Sequence, residues 1–157
     1  MSATPQGDLL ARLPHRPPMR LVDEIIEIAI GSHARARRVA RISDWYFDGH
    51  FPGDPVIPAI VLVELLAQTA GLAVASSESP DATRSLRVAA FTNFRFPAAA
   101  GPGVILEATA RVAGRLGRLT KIEGTVTADG RLVATGGLTL ADVGQVVLTV
   151  DDHTHSG

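Results

Sequence analysis

The sequence contains no cysteine, which excludes disulfide cross-links and thiolate chemistry. It also lacks an excess of basic residues: the formal net charge is −1, which argues against nucleic acid as the main partner. No glycine-rich phosphate loop of standard spacing and no GxSxG nucleophile motif occurs, and no His, Asp and Glu cluster has metal-ligand spacing. We therefore expect a protein without a bound nucleotide, metal or other cofactor.

One continuous apolar stretch, Ala59–Ala75, approaches the length of a membrane-spanning helix. It is about seventeen residues long, at the lower limit for crossing a bilayer, and it carries Glu64 and Gln68 near its middle. We interpret it as a buried helix with no membrane span. The N-terminal residues contain no continuous apolar region typical of a signal peptide, so we expect a cytoplasmic protein.

The length of 157 residues predicts a single domain, 1–157, with a core at about 9–142 and a polar C-terminal tail at about 151–157. Strand-like segments flank the apolar helix, and Asp129-Gly130 is a strong hairpin signal. Several half-apolar strands and one helix without a polar face favour an α+β fold, a curved antiparallel sheet wrapped around one long central helix. The predicted strands are Arg20–Ile30, His33–Ile42, Leu86–Phe96, Val104–Gly114, Leu119–Ala128 and Arg131–Leu140, with a short edge strand at Gln145–Val150.

The predicted strand His33–Ile42 alternates small apolar residues with basic ones. This pattern is typical of a half-exposed antiparallel strand. The apolar face comprises Ala34, Ala36, Ala40 and Ile42. We interpret the basic face as a solvated sheet surface, and the alternative is a docking surface for an acidic partner.

The stretch from Gly49 to Gly71 combines a stiff loop with the start of the central helix. The loop, Gly49–Pro58, holds three prolines, two glycines and His50. The helix begins at Pro58-Ala59, where proline is favoured, and it places Glu64 among apolar side chains. A carboxylate in such a helix is costly unless it has a partner or a task.

These residues can perform acid–base chemistry. Histidine titrates near neutral pH, so His50 can accept a proton. Burial should raise the pKa of Glu64 and make it a proton donor, while the N–H groups of Ala59 and Ile60 at the helix N-terminus can hold an oxyanion. This combination suits elimination of water from a 3-hydroxyacyl thioester. From the residues alone an alternative stays open, in which His50 only braces its loop and Glu64 satisfies a buried polar contact.

Three segments resemble the 3-hydroxyacyl-[acyl-carrier-protein] dehydratases of bacterial fatty-acid synthesis, which have the hotdog fold. They are LPHRPPMRLVDEI at Leu13–Ile25, GHFPGDPVIPAIVLVELLAQ at Gly49–Gln68, and FRFP at Phe94–Pro97 followed by Gly101–Gly103. The resemblance covers roughly residues 9–142. His50 and Glu64 have the family's fourteen-residue separation, and glutamate rather than aspartate resembles the dehydratase-only branch.

The resemblance implies a role for each site residue. His50 would be the catalytic base at C2 of the substrate, and Glu64 the catalytic acid at C3. The two would meet across a homodimer, which in the family often assembles into a hexamer as a trimer of dimers, with the acyl chain in a tunnel at the interface. Oxyanion and substrate binding are assigned to Phe51, Pro58, Ala59, Ile60 and Gln68, and docking of the acyl carrier protein to Arg84, Arg87 and Arg95.

Ala59 departs from the family pattern, which usually has glycine after the helix-starting proline. Its methyl group lies where the thioester should pass, so it would narrow substrate choice or lower activity. Two alternatives to a dehydratase of fatty-acid or related lipid and polyketide pathways therefore stay open. One is a hotdog acyl thioesterase, and the other is a catalytically weak acyl-binding partner subunit.

Overall fold

A six-stranded antiparallel sheet and one long helix dominate the structure, a computed structural model that describes residues 6–74 and 85–144. The strands are β1 (Glu24–Ala29), β2 (His33–Val39), β3 (Leu86–Arg95), β4 (Ile105–Leu116), β5 (Leu119–Ala128) and β6 (Arg131–Asp142). The helices are α1 (Gln6–Leu10) and α2 (Ala59–Val74), with a 3-10 turn at Trp45–Phe47. The strand order is β1-β2-β4-β5-β6-β3, and α2 packs mainly on β4 and β2. The α+β prediction is confirmed.

Rows of alanine explain how the sheet accepts the helix so closely. Leu65, Leu66 and Leu72 of α2 are fully buried. Their partners on the sheet are small, because β2 and β4 present alanine at successive inward positions, all of them 0% exposed. These alanines are Ala34, Ala36, Ala108 and Ala110. Small strand residues leave room for large helix residues, so the two surfaces interdigitate at the density of a protein core.

Gly124 of β5 is the closest point of this packing. A Cβ there would lie 2.5 Å from a methyl carbon of Leu66 and 2.7 Å from the backbone oxygen of Thr109, which cannot move aside. Because overpacking costs about 1–3 kcal/mol, we expect Gly124→Ala to lower the free energy of unfolding by that amount in urea denaturation. Gly114→Ala is the matched control, since a Cβ there meets nothing within 4 Å. Equal effects of the two substitutions would contradict this account of the packing.

Two features of the helix and of β2 differ from prediction. The expectation that α2 is buried on every side is wrong at its first turn, because Ile60 is 73% exposed. Ile42 was expected on the buried face of its strand, but β2 ends at Val39 and Ile42 is 64% exposed. The chain leaves the sheet there, where Arg41 N donates to the carboxylate of Asp44 at 2.9 Å.

The outer face of β2 supports the solvated-surface interpretation. Arg35 pairs with Glu107 and Glu27, and Arg37 pairs with Glu107 and Glu24. These side chains are partly exposed, where ion pairs contribute about 0–1 kcal/mol each. Because their charges are matched locally, Arg35 and Arg37 form no positive docking patch.

Several predicted features lie outside the described residues. They are the end of the central helix beyond Val74, Arg84, the edge strand at Gln145–Val150 and the tail at about 151–157. Within residues 6–74 and 85–144, no helix is long and apolar enough to cross a membrane.

Candidate active site

The loop at residues 49–58 holds the His50 ring in one orientation. The Nδ1 atom lies 2.8 Å from the backbone oxygen of Val56, and Val56 N donates back to the His50 oxygen at 2.9 Å. A carbonyl oxygen can only accept, so Nδ1 carries the proton and Nε2 of the neutral ring has the free lone pair. The Phe51 ring stacks on the imidazole at 4.2 Å between centroids. His50 is therefore presented as a base through Nε2.

The turn at residues 98–103 contacts this loop through backbone atoms. Ile57 N donates to the Ala100 oxygen at 2.9 Å. Gly101 lies so close that a Cβ there would be 3.3 Å from the Pro55 oxygen. These backbone contacts, together with the buried side chain of Ile57, thus fix the path of the histidine loop.

The 3-10 turn at Trp45–Phe47 fixes the start of the same loop. The Tyr46 hydroxyl donates to Asp44 at 2.6 Å, and Arg38 binds Asp44 at 2.8 Å. Burial and the neighbouring Asp44 carboxylate raise the pKa of Tyr46 to about 12, so the phenol stays protonated as a donor. Trp45 Nε1 donates to the Pro18 oxygen at 3.0 Å. The aromatic group therefore anchors the segment that precedes His50.

Glu64 lies in the second turn of α2 and is held by two side chains. His15 Nε2 is 3.4 Å from its Oε1 atom, and Gln68 Nε2 donates to the same oxygen at 3.1 Å. Gln68 is 1% exposed. It also donates to the Met19 oxygen at 2.8 Å and accepts from Leu21 N at 2.9 Å. Both amide hydrogens of Gln68 are occupied, so its side chain positions Glu64, and the predicted contact of Gln68 with substrate stays a prediction.

The expected rise in the pKa of Glu64 is wrong for the protomer. Burial does push this pKa upward, but the hydrogen bonds from His15 and Gln68 and the charge interaction with His15 outweigh it. The net result is a pKa below the ordinary value of 4.5. The Glu64 side chain also keeps 33% of its exposure, which limits the desolvation that the sequence led us to expect.

Replacing His15 by alanine should raise the pKa of Glu64, because the variant removes the main opposing interaction and leaves the burial. A carboxyl group with a lowered pKa stabilises the fold above its unfolded pKa, and that stability is lost as pH falls through the folded pKa. The stability gap between wild type and His15→Ala should therefore narrow as the solution becomes acidic. Carboxyl NMR titration of Glu64 measures the shift directly.

The control for this variant is His33→Ala on the outer sheet face. The His33 ring binds Glu27 at 2.7 Å, a histidine–carboxylate pair of the same chemistry on a separate surface. It should leave the titration of Glu64 unchanged. A Glu64 pKa that did not move in His15→Ala, or that moved equally in His33→Ala, would contradict the assignment.

Two cavities meet at Glu64. The first, of about 400 Å³, is lined mostly by apolar residues, with His15, Gln68 and Arg87 among them, and we call it the basic cavity after His15 and Arg87. The second, of about 480 Å³, is lined by Met19, Trp45, Ala59, Ile60, three phenylalanines and other apolar residues, and we call it the apolar cavity. Glu64 is the one ionisable residue that lines the apolar cavity among the residues that the structure describes. A ligand with an apolar tail can thus place a reacting atom beside this carboxyl group.

The structure brings some of the predicted site residues together and separates others. Ala59 and Ile60 line the apolar cavity, and their N–H groups precede the bond from Val61 N to the Pro58 oxygen at 3.0 Å, at the start of α2. Such N–H groups lack acceptors within the helix. His50 lines neither cavity, and within residues 6–74 and 85–144 the ion pair of Glu64 is with His15, not with His50.

The remaining site predictions have different outcomes. Phe51 is 53% exposed beside the imidazole. Arg87 lines the basic cavity and Arg95 is exposed on β3, whereas Arg84 lies outside the described residues. Among the described residues, no group of three or more His, Asp or Glu side chains could hold a metal ion.

His15 is the site residue that sequence reasoning did not assign. It stands 49 positions before Glu64, so no local spacing connects the two. The available signal was its place in the proline-braced loop at Leu13–Met19, the first of the three segments that carry the family resemblance.

Comparison with known proteins identifies the family of this chain. The family model described as "FabA-like domain" matches residues 13–137. The chain belongs to this FabA-like family, and the hotdog fold and the resemblance predicted from the sequence are confirmed.

The curated relatives are more specific than the family. The chain is 38% identical over 136 residues to a Herpetosiphon aurantiacus protein named "3-hydroxyacyl-[acyl-carrier-protein] dehydratase FabZ", covering 87% of this chain and 96% of that protein. It is 37% identical over 131 residues to the protein of the same name from Myxococcus xanthus, covering 83% and 86% of the two chains.

Solved structures agree on the fold. The dehydratase heterocomplex ApeI:P from Xenorhabdus doucetiae superposes with a TM-score of 0.71 at 17% identity, covering 92% of this chain and 94% of that chain. Protein PH1136 from Pyrococcus horikoshii gives a TM-score of 0.65 at 20% identity, with 94% and 99% coverage. At these identities the likeness concerns the fold alone.

Proposed function

We propose that this protein removes water from (3R)-3-hydroxyacyl thioesters carried on acyl carrier protein and forms trans-2-enoyl thioesters, in fatty-acid biosynthesis or a related lipid or polyketide pathway. The reaction makes it a hydro-lyase. The single observation that carries the proposal is a histidine with a free Nε2 lone pair and a glutamate on an apolar cavity, in a chain about 37% identical to proteins named as such dehydratases.

Each step of the elimination has a residue in this chain. His50 Nε2 takes the proton from C2, and the electron pair of that C–H bond forms the C2–C3 double bond. The N–H groups of Ala59 and Ile60 stabilise the negative charge on the thioester oxygen. Glu64 protonates the C3 hydroxyl group, which leaves as water. The proton on His50 then returns to the Glu64 carboxylate through water, which restores both groups.

Glu64 must be protonated to act in this way, although its pKa is lowered in the protomer. The side chain is 33% exposed there, on the wall of an open apolar cavity. An acyl chain in that cavity, together with a second protomer over it, removes the remaining water. Because desolvation disfavours the charged form, we infer that a bound acyl chain moves the pKa of Glu64 upward from its lowered value in the protomer.

A homodimer supplies the His50 that each Glu64 lacks in its own protomer. Strand β3 pairs with β6 alone in the described part of the sheet, so its other edge is open. An open edge is a template for pairing with another chain. Exposed apolar side chains lie on it, including Val88 at 38% and Phe91 at 57%. Sedimentation velocity should give a dimer or a hexamer made of dimers, and a monomer that turns over substrate would contradict the shared site.

The decisive assay follows two products of one substrate. Wild type is incubated with a 3-hydroxyacyl thioester, and the enoyl product and free thiol are measured in parallel. A dehydratase forms the enoyl thioester and releases no thiol, whereas an acyl thioesterase releases thiol. Because the protein has no cysteine, every thiol detected by a thiol reagent comes from the substrate.

The second candidate function rests on Ala59. Its methyl group lies at the N-terminus of α2 on the wall of the apolar cavity, where the thioester would pass. A catalytically weak acyl-binding subunit would bind acyl thioesters without turnover, and Ala59→Gly would restore dehydration. Turnover by the wild type excludes this alternative.

We also propose that acyl carrier protein docks on arginine side chains of this protein. Arg87 beside the basic cavity and Arg95 on β3 suit docking of an acidic carrier, together with Arg84. Substitutions that remove the charge of these arginines should weaken turnover of a carrier-linked substrate. They should leave turnover of a free pantetheine thioester unchanged.

A cytoplasmic location stays a prediction.

A further inference from the structure

The position of one wall of the apolar cavity depends on the absence of a side chain at Gly136. Phe94 lines this cavity, and its ring lies on Gly136 of β6. A Cβ at Gly136 would be 2.6 Å from Cγ and 2.8 Å from both Cδ atoms of the Phe94 ring. Those distances are far below ordinary carbon–carbon contact, so the ring occupies space that a side chain at position 136 would fill.

A break in the register of β3 places the ring there. The pairing of β3 with β6 is irregular between Thr92 and Arg95, and Asn93 inside it has a φ of 51°, in the left-handed region. Such bulges re-aim side chains relative to the sheet. Phe94 is half-buried, while the neighbouring Phe91 and Phe96 are exposed.

The three phenylalanines form one cluster along the cavity. Phe91 meets Phe94 edge-to-face at 5.8 Å between ring centroids, and Phe96 stacks on Phe94 at 6.1 Å. Phe94 is therefore the central ring. Phe94 and Glu64 line the same cavity. If the Phe94 ring is displaced away from Gly136, it therefore enters the cavity space beside Glu64.

We propose that the contact between Phe94 and Gly136 determines how long an acyl chain this protein accepts. This inference rests on the proposed function, because it places the acyl chain of the substrate in the apolar cavity. The absent side chain at Gly136 lets Phe94 recede and leaves room for a longer chain. Gly136 and Phe94 are specificity-determining residues and take no part in proton transfer.

The test compares Gly136→Ala, Phe94→Ala and the double variant across substrates of increasing chain length. Gly136→Ala should lower kcat/KM for long chains by about tenfold or more relative to short ones, since each methylene that no longer fits has an effect of that size. Phe94→Ala should extend the range of accepted chains. In the Phe94→Ala background, Gly136→Ala should leave the chain-length preference unchanged, because the ring that the added methyl group would displace is absent.

Gly124→Ala is the matched control. Gly124 pairs with Gly136 across the sheet, and a Cβ there meets Leu66 of the core rather than the cavity. It should destabilise the fold without changing the preference between chain lengths. A length profile that stays unchanged in both Gly136→Ala and Phe94→Ala overturns the proposal, as does an equal change in Gly124→Ala.

Binding of saturated acyl-pantetheine thioethers of the same lengths separates this inference from the proposed function. These probes report the cavity without turnover. If wild type binds them in a length-dependent way that the two variants shift, but dehydrates nothing, then the proposed reaction fails and the inference stands. If wild type dehydrates its substrates and neither variant shifts the length preference, the inference fails alone.

Discussion

His50→Ala is expected to lower kcat for dehydration by a factor of roughly 10² to 10⁴, the usual contribution of a positioned general base. The substitution removes the Nε2 lone pair that we propose takes the proton from C2. Binding should change little, because the proposed site of the acyl chain is the apolar cavity, and His50 does not line that cavity in its own protomer. Steady-state rates with a 3-hydroxyacyl thioester measure the loss.

His50→Asn separates catalysis from support of the loop. The His50 ring binds the Val56 oxygen through Nδ1, and an asparagine side chain can donate from nearly the same position. The variant therefore keeps the brace of the loop and lacks the base. Both variants should lose turnover to a similar extent. If His50→Asn kept wild-type rates and only His50→Ala lost them, His50 would serve the loop and not the reaction.

Glu64→Gln is expected to lower kcat by a factor of about 10² to 10⁴, because glutamine cannot protonate the leaving hydroxyl group. The change keeps the size of the side chain. Its amide oxygen can still accept the hydrogen bond that Gln68 donates at 3.1 Å. The fold should therefore be retained, with a thermal midpoint lowered only by the loss of the charge interaction with His15. Unchanged turnover would remove Glu64 from the reaction.

The pH dependence gives Glu64→Gln a second readout. In wild type, the proposed role of Glu64 predicts that the rate falls at high pH as Glu64 loses its proton in the complex. The high-pH fall should disappear from the residual activity of Glu64→Gln. A high-pH fall that persisted unchanged would assign it to another group.

The sequence predicted those features that depend on local spacing. The hairpin at Asp129-Gly130 is one, because both residues need positive φ and have values of 47° and 83°. The start of α2 after Pro58 is another, since proline favours a first helical turn. His50 and Glu64 are ionisable residues in a proline-rich loop and an apolar stretch, respectively. This contrast is visible in the sequence without knowledge of the fold.

Long-range contacts decided what the sequence could not predict. The pKa of Glu64 is lowered rather than raised, because His15 and Gln68 reach its carboxyl group. The exposure of Ile42 arises where β2 ends and the chain turns toward Asp44. The contact between Phe94 and Gly136 joins two strands across a bulge that leaves no mark in the alternation pattern.

The sequence alone thus determined the α+β layout, the central helix and the two groups proposed for proton transfer, because these follow from residue type, hydrophobic periodicity and short-range spacing. Only the tertiary structure decided the lowered pKa of Glu64 in the protomer, the tautomer of His50 and the shape of the apolar cavity. The physical reason is that a pKa, a hydrogen-bond partner and a cavity wall each depend on atoms brought close by folding. The separation of two residues along the chain does not predict those distances.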